Sequence, residues 1–258
     1  MSDRVRVYRL TQAGRDAWES QDVAVPTDYR RMLWLMDFHG HSGVIGDLLR
    51  QYPRHILDEW LAEMEELGLI EQTLETEESE STFSSREADR TQAMDLADIQ
   101  QEAESASTSL ARTGAYLAAD RLRLRPVPHR ASADMVVLIV EDDPDQLALA
   151  DLRVSMAGYK VRVAISVNSF LQSMLDEGAP DLLLLDVMLP DGDGFEVLAR
   201  MRRHPVHGSL PIIMLSAKND PADIGKGLVL GADAYITKPY TKNILADVIR
   251  RVLKQDAV

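Results

Sequence analysis

The chain has 258 residues, 45% of them apolar and none of them Cys, with 42 acidic side chains against 28 basic ones and a formal net charge of −14. That length suits one large domain or two ordinary ones, and the missing cysteines exclude a disulfide framework, thiolate metal ligands and a thiol nucleophile. No apolar run approaches the roughly 18 residues of a membrane span, the opening MSDRVRVYRL lacks the apolar core of a signal peptide, and no segment has the basic footprint of an obvious nucleic-acid binder; a cytoplasmic protein with no membrane partner is expected.

Composition changes at about residue 72 and again near 133, which divides the chain into 1–72, 73–132 and 133–258. The first segment is mainly helical in pattern. Apolar residues recur at helical spacing in Tyr29, Met32, Leu33 and Met36, then in Val44, Ile45, Leu48 and Leu49, then in Ile56, Leu57, Trp60, Leu61 and Met64. Gly68 is a helix stop. The third pattern closes in EELGLIEQ, which resembles the last helix and first wing strand of winged-helix domains. YRLTQAGRDAW (8–18) resembles the second wing strand and following helix of MarR-like members of that family, where it follows the GLI strand and does not precede it. The order is permuted, and the other reading is a small α-helical bundle. In a winged helix the third helix enters the major groove. Here it would be PRHILDEWLAEMEEL, with Arg54 and His55 at its start but Asp58, Glu59, Glu63, Glu65 and Glu66 along it. Those carboxylates would face phosphates, so partner binding or dimerisation is expected ahead of DNA binding.

The second segment opens with TLETEESESTFSSREADR, an acidic and Ser/Thr-rich linker. Leu96, Ile99, Ala103, Ala106, Leu110, Thr113 and Leu117 then alternate at spacings of three and four. That is a heptad seam, predicting a helix over 92–124 that either packs on its own protein or pairs in a homodimeric coiled coil. RPVPHRASA (125–133), with two prolines, is a second connector.

The third segment alternates strand and helix five times. MVVLIV (135–140), YKVRVAI (159–165), DLLLLDV (181–187), PIIMLSA (211–217) and DAYITK (233–238) are each followed by a helical pattern. This predicts βαβ units and a five-stranded, doubly wound parallel sheet, in which the ligand site lies off the carboxyl ends of the strands. Glu141 and Asp142 end the first strand, Asp186 the third, Ser216 the fourth and Lys238 the fifth. Clustered carboxylates repel and ionise together only beside a cation. With no Cys or His in the set, oxygen ligands point to Mg²⁺. A hydroxyl and an ammonium alongside suit a phosphoryl group.

The order and spacing of these residues resemble the CheY-like receiver domain of two-component response regulators, over about Met135 to Lys254. The aspartate lies 44 residues after Asp142, the serine 30 residues further and the lysine 22 beyond that. The resemblance implies a flavodoxin-like fold in which Asp186 is phosphorylated by a histidine kinase or phosphotransfer protein. It implies Mg²⁺ held by Glu141, Asp142, Asp186 and the backbone carbonyl of Met188. Ser216 and Lys238 would bind phosphoryl oxygens, the Lys238–Pro239 bond would be cis, and Tyr235 would change rotamer with Ser216 on activation. Asp143, one place beyond the acidic pair, reads as a helix-start residue. On this reading the chain is a signalling phosphoacceptor and not an enzyme, switching an N-terminal interaction module or, alternatively, a DNA-binding one. A haloacid-dehalogenase-like phosphatase is the remote alternative. It would need a second Asp two places after the nucleophile, where Met188 stands.

Overall fold

The computed structural model describes residues 6–19, 25–73, 114–124, 130–241 and 243–254. The chain divides into two units, one comprising Met1–Gln92 and Arg203–Val206, the other Ala93–Arg202 and His207–Val258. No described helix is long and apolar enough to cross a membrane.

In the first unit β1 (Val7–Leu10) and α1 (Gln12–Glu19) precede three helices, α2 (Thr27–Phe38), α3 (Ser42–Leu48) and α4 (Arg54–Glu66), and a final strand β2 (Ile70–Thr73). Pro26 and Pro53 stand just before α2 and α4, where a missing N–H costs nothing. α4 buries Leu57, Leu61 and Met64, one stripe at a spacing of four and three. It ends at Gly68, whose φ of 68° is open to glycine at no steric cost, and the Leu69 N–H turns back to the Met64 carbonyl. β1 pairs antiparallel with β2, Leu10 opposite Ile70 and Val7 opposite Thr73, and Val7 also bridges His41. YRL and GLI thus lie side by side although 62 residues separate Tyr8 from Ile70 in sequence.

The second unit begins with β3 (Ala115–Leu117) and α5 (Ala119–Leu124). Five βα units follow: β4 (Val136–Val140) and α6 (Pro144–Met156), β5 (Lys160–Ala164) and α7 (Val167–Glu177), then β6 (Leu182–Asp186). A two-rung hairpin, β7 (Met188–Leu189) and β8 (Gly192–Asp193), leads into α8 (Gly194–Arg203). β9 (Ile212–Ser216), α9 (Pro221–Val229), β10 (Ala234–Thr237) and α10 (Ile244–Val252) complete it. The sheet order is β3-β10-β9-β6-β4-β5. The last five are mutually parallel, as expected, and Asp143 caps α6, its side chain accepting the Asp145 and Gln146 N–H groups, the helix-start role expected of it. Leu182–Leu185 are wholly buried, which is why this strand shows no polar alternation. One face packs Val137, Ile139, Leu182, Leu184, Ile213 and Ile236 against residues of α6 and α10. Side chains alternate across a strand, so Tyr235 belongs to the other face.

Two expectations change. The sheet has a sixth strand, β3, antiparallel to β10. That strand occupies part of the helix predicted over 92–124. Residues 93–113 of the seam, and most of the acidic linker, lie outside the described residues, but Ala115–Leu117 are extended. The backbone turns at Gly114, with φ of 76°, before pairing with β10, so the helical spacing cannot run through to Leu117.

Candidate functional site

The parallel register brings the predicted residues to one edge. β4 and β6 are neighbours, and the chain leaves β4 at Glu141 and β6 at Asp186, the point at which the strand order reverses. Carboxylate oxygens of Glu141, Asp142 and Asp186 come within 4.8 Å of one another. Glu141 and Asp186 are buried and Asp142 is exposed. Lys238 follows β10 directly. Its ammonium donates to Glu141 Oε2 at 2.6 Å and to Asp186 Oδ2 at 2.8 Å, and it is itself buried. The Lys238 N–H donates to the Ser216 carbonyl at 2.7 Å, which ties the ends of β10 and β9 together. The Lys238–Pro239 bond is cis.

Two buried carboxylates and one buried ammonium leave net negative charge in a poorly hydrated place. Burial pushes the Glu141 carboxyl up from the ordinary range, the Lys238 ammonium pulls it back and the Asp186 charge adds to the rise; the direction is upward. Burial works against the Lys238 ammonium, but its bonds to Asp186 and Glu141 outweigh that and hold its proton above the usual lysine value. Glu141 Oε1 is buried and has no hydrogen-bond partner among the described residues. An orphaned carboxylate oxygen beside two other acids is the donor set a small hard cation needs. A cation therefore fits.

The structure also places Ser216, expected to bind a phosphoryl oxygen, and Tyr235, expected to switch with it. Ser216 is wholly buried, and its Oγ accepts the Lys218 N–H at 3.0 Å. Tyr235 is wholly buried too, its hydroxyl donating to the Lys218 carbonyl at 3.1 Å. Burial pushes its phenol up to about 12. Met188 is an exposed side chain in the hairpin after Asp186.

Residues that the sequence reading passed over fix this geometry. Asp186 Oδ1 accepts the Val187 N–H at 2.7 Å, which leaves Oδ2 for Lys238. A Cβ on Gly194 would lie 2.1 Å from the Asp186 carbonyl oxygen, so only glycine lets α8 start this close to the acid. Asp191 accepts the N–H groups of Val167 and Asn168 at 2.7 and 2.9 Å, anchoring the loop on the start of α7. A Cβ on Gly227 of α9 would meet the Tyr235 ring at 2.8 Å, so that glycine makes room for the buried ring. PDGDG, residues 190–194, is a tight-turn signal that holds Asp191 and Gly194, and no sequence signal marks Gly227.

Residues 137–250 match the family described as response regulator receiver domain. This segment is a receiver domain. Among curated proteins, the transcriptional regulatory protein AfsQ1 of Streptomyces coelicolor is 43% identical over 119 residues, 46% of this chain and 51% of its own length. The phosphate regulon transcriptional regulatory protein PhoB of Pseudomonas aeruginosa is 36% identical over 119 residues, 46% of this chain and 52% of its own. The chain spans about half the length of the curated relatives it matches. Among solved structures, a response regulator from Chloroflexus aurantiacus is 36% identical, covering 46% of this chain and 98% of its own, with a TM-score of 0.45. The receiver domain is a signalling module, and its matched residues contain Glu141, Asp142, Asp186, Ser216, Tyr235 and Lys238.

Proposed function

We propose that the chain is a two-component response regulator that takes a phosphoryl group onto Asp186 from a histidine kinase or phosphotransfer protein. The observation that carries this reading is the triad of Lys238 with Glu141 and Asp186, with Glu141 Oε1 left unpaired. Mg²⁺ would be held by Glu141, Asp142, Asp186 and the Met188 carbonyl, and when bound it would neutralise charge shared between the acids and the phosphoryl oxygens. An Asp186 carboxylate oxygen attacks the phosphorus of a phosphohistidine. A P–O bond forms, the P–N bond breaks, and the imidazole leaves with the electron pair and regains a proton. Lys238 holds the carboxylate in place and offers its ammonium to a phosphoryl oxygen. Ser216 offers its hydroxyl to another, and Tyr235 moves with it in the switch. Beyond that transfer, the reading involves only self-phosphorylation from small donors and autodephosphorylation.

The test is acetyl phosphate with Mg²⁺. One phosphoryl group per chain, labile to base and to hydroxylamine as an acyl phosphate is, is expected and is lost in Asp186→Asn. Stoichiometric labelling of that variant would refute the assignment.

For the output, the exposed face of α4 favours protein docking. His55 stands near its start, but Asp58, Glu59, Glu65 and Glu66 are all exposed along it, and Arg54 is turned to Asp47 at 3.3 Å. The second reading is a permuted winged helix that binds DNA. It is favoured by the pairing of β1 with β2 beside three helices, and by relatives named as transcriptional regulatory proteins.

A further inference from the structure

The sixth strand is not part of the five βα units, yet it is held at several points. Ala115 and Leu117 are buried in the same cluster as Ile236, Val248, Ile249 and Val252, and Leu122 of α5 packs against that cluster. Arg121 lies 3.6 Å from Asp233, a wholly buried carboxylate that also takes a bond from Arg202. The Ala118 N–H donates to the Asp233 carbonyl at 3.0 Å. Lys254 donates to the Arg123 carbonyl at 3.3 Å. Residues 114–124 therefore grip β10 and α10.

Two of the contacts reach the switch. Thr237 is the residue before Lys238, and both its N–H and its hydroxyl donate to the Gly114 carbonyl, at 2.8 and 3.2 Å. A Cβ on Gly114 would lie 2.4 Å from the Thr237 hydroxyl, so the approach is as close as the backbone allows. Tyr116 is directly opposite Tyr235 in the ladder. Opposed residues project from the same face, so Tyr116 flanks the buried Tyr235 on what would otherwise be the bare edge of the sheet. The strand from the connector and the inward tyrosine belong to one arrangement.

We infer that residues 114–124 form a clasp whose hold on β10 is coupled to the Asp186 site. This rests on the phosphoacceptor reading. Ser216 and Tyr235 are wholly buried here, and Tyr116 stands opposite that inward ring in the ladder; a phosphoryl group that engages the Ser216 hydroxyl holds both residues inward, and so phosphorylation tightens the clasp. Coupling is reciprocal: a docked clasp strengthens binding at Asp186 by the same factor. The connector thereby reads the state of the site through Thr237 and Tyr235, at the point where it joins the receiver domain.

The experiment uses the full chain with Mg²⁺, with and without beryllium fluoride as the phosphoryl mimic. Bound fluoride is counted by ¹⁹F NMR against Asp186→Asn. Amide exchange of residues 115–118 is expected to slow about fivefold or more on binding. Arg121→Gln, at the end of the clasp away from the site, is expected to speed that exchange and weaken fluoride binding several-fold. Fluoride bound at Asp186 with exchange at 115–118 unchanged or faster overturns the clasp and leaves the phosphoacceptor reading intact. No fluoride bound at Asp186 overturns both. An Arg121→Gln protein that frees residues 115–118 yet binds fluoride as tightly as the parent also overturns the coupling.

Discussion

Replacing Lys238 by Ala leaves Glu141 and Asp186 buried without their shared cation, and the consequence can be sized from the geometry. At 2.6 and 2.8 Å, each contact carries about 6 kcal/mol of attraction at an effective dielectric near 20. Much of this is offset, because the variant no longer buries an ammonium. Measured losses on breaking buried pairs are about 3 to 5 kcal/mol, and that is the loss expected at pH 8 in EDTA. Protonation of one carboxyl should relieve it at lower pH. Burial already raises the Glu141 carboxyl, and removing the ammonium raises it further. A carboxyl whose folded value lies above its unfolded one binds more protons when folded, so stability falls as pH rises between those values. Below the folded value the deficit should shrink by about 1.4 kcal/mol per pH unit. In the parent the raised Lys238 contributes its full share below the ordinary lysine value of 10.5 and loses it only above, so it adds no slope between pH 5.5 and 8. Hydrogen exchange at the amides of Leu183–Leu185, in the middle of the sheet, reports the opening free energy of this unit. The deficit should be larger at pH 8 than at pH 5.5, and Mg²⁺ should restore more stability to the variant than to the parent. An equal deficit at both pH values, or none at pH 8, would refute the assignment of Lys238 as the cation shared by two buried carboxylates.

Gly194→Ala should destabilise the receiver domain by about 1 to 3 kcal/mol, because its Cβ would strike the Asp186 carbonyl at 2.1 Å; urea unfolding followed by circular dichroism measures this, and acetyl phosphate labelling should fall with it. Asp191→Ala frees the loop from the two α7 N–H groups; a loss of about 1 kcal/mol is expected in the same unfolding measurement, with slower labelling at Asp186. For the output unit, titration of the phosphorylated chain against genomic DNA fragments at low salt should show no binding at micromolar concentrations. Binding that weakens steeply with salt would establish the DNA-binding reading instead.

The site was legible in the sequence for a physical reason. A parallel sheet carries all its carboxyl ends to one edge, so residues far apart in the chain converge once the strands are recognised. Glu141, Asp186, Ser216 and Lys238 each sit at such an end, and continuous apolar runs such as Leu182–Leu185 mark the strands without ambiguity. The supporting residues were hidden for the opposite reason. Asp191, Gly194 and Gly227 act through contacts with α7, the Asp186 carbonyl and the Tyr235 ring. No local pattern distinguishes a glycine that admits a neighbouring carbonyl from one that merely turns the chain.

β3 was misplaced because Leu110 and Leu117 are seven residues apart, which fits a heptad as well as it fits anything. Three residues are too few to declare a strand by alternation. The deciding fact is non-local: β10 would otherwise have a bare edge, and the N–H and carbonyl groups of an exposed strand seek a partner. Gly114 held the clue, since its positive φ breaks a helix at the position where the ladder begins. The pairing has a consequence for assembly. β10 is not an edge strand in this unit, because β3 shields it, and a partner adding a strand there would first have to displace Tyr116 and the bond from Thr237 to Gly114. A three-residue edge strand presents little backbone of its own for such pairing. The same short segment that pairs with β10 opposite Tyr235 therefore also guards that side of the sheet.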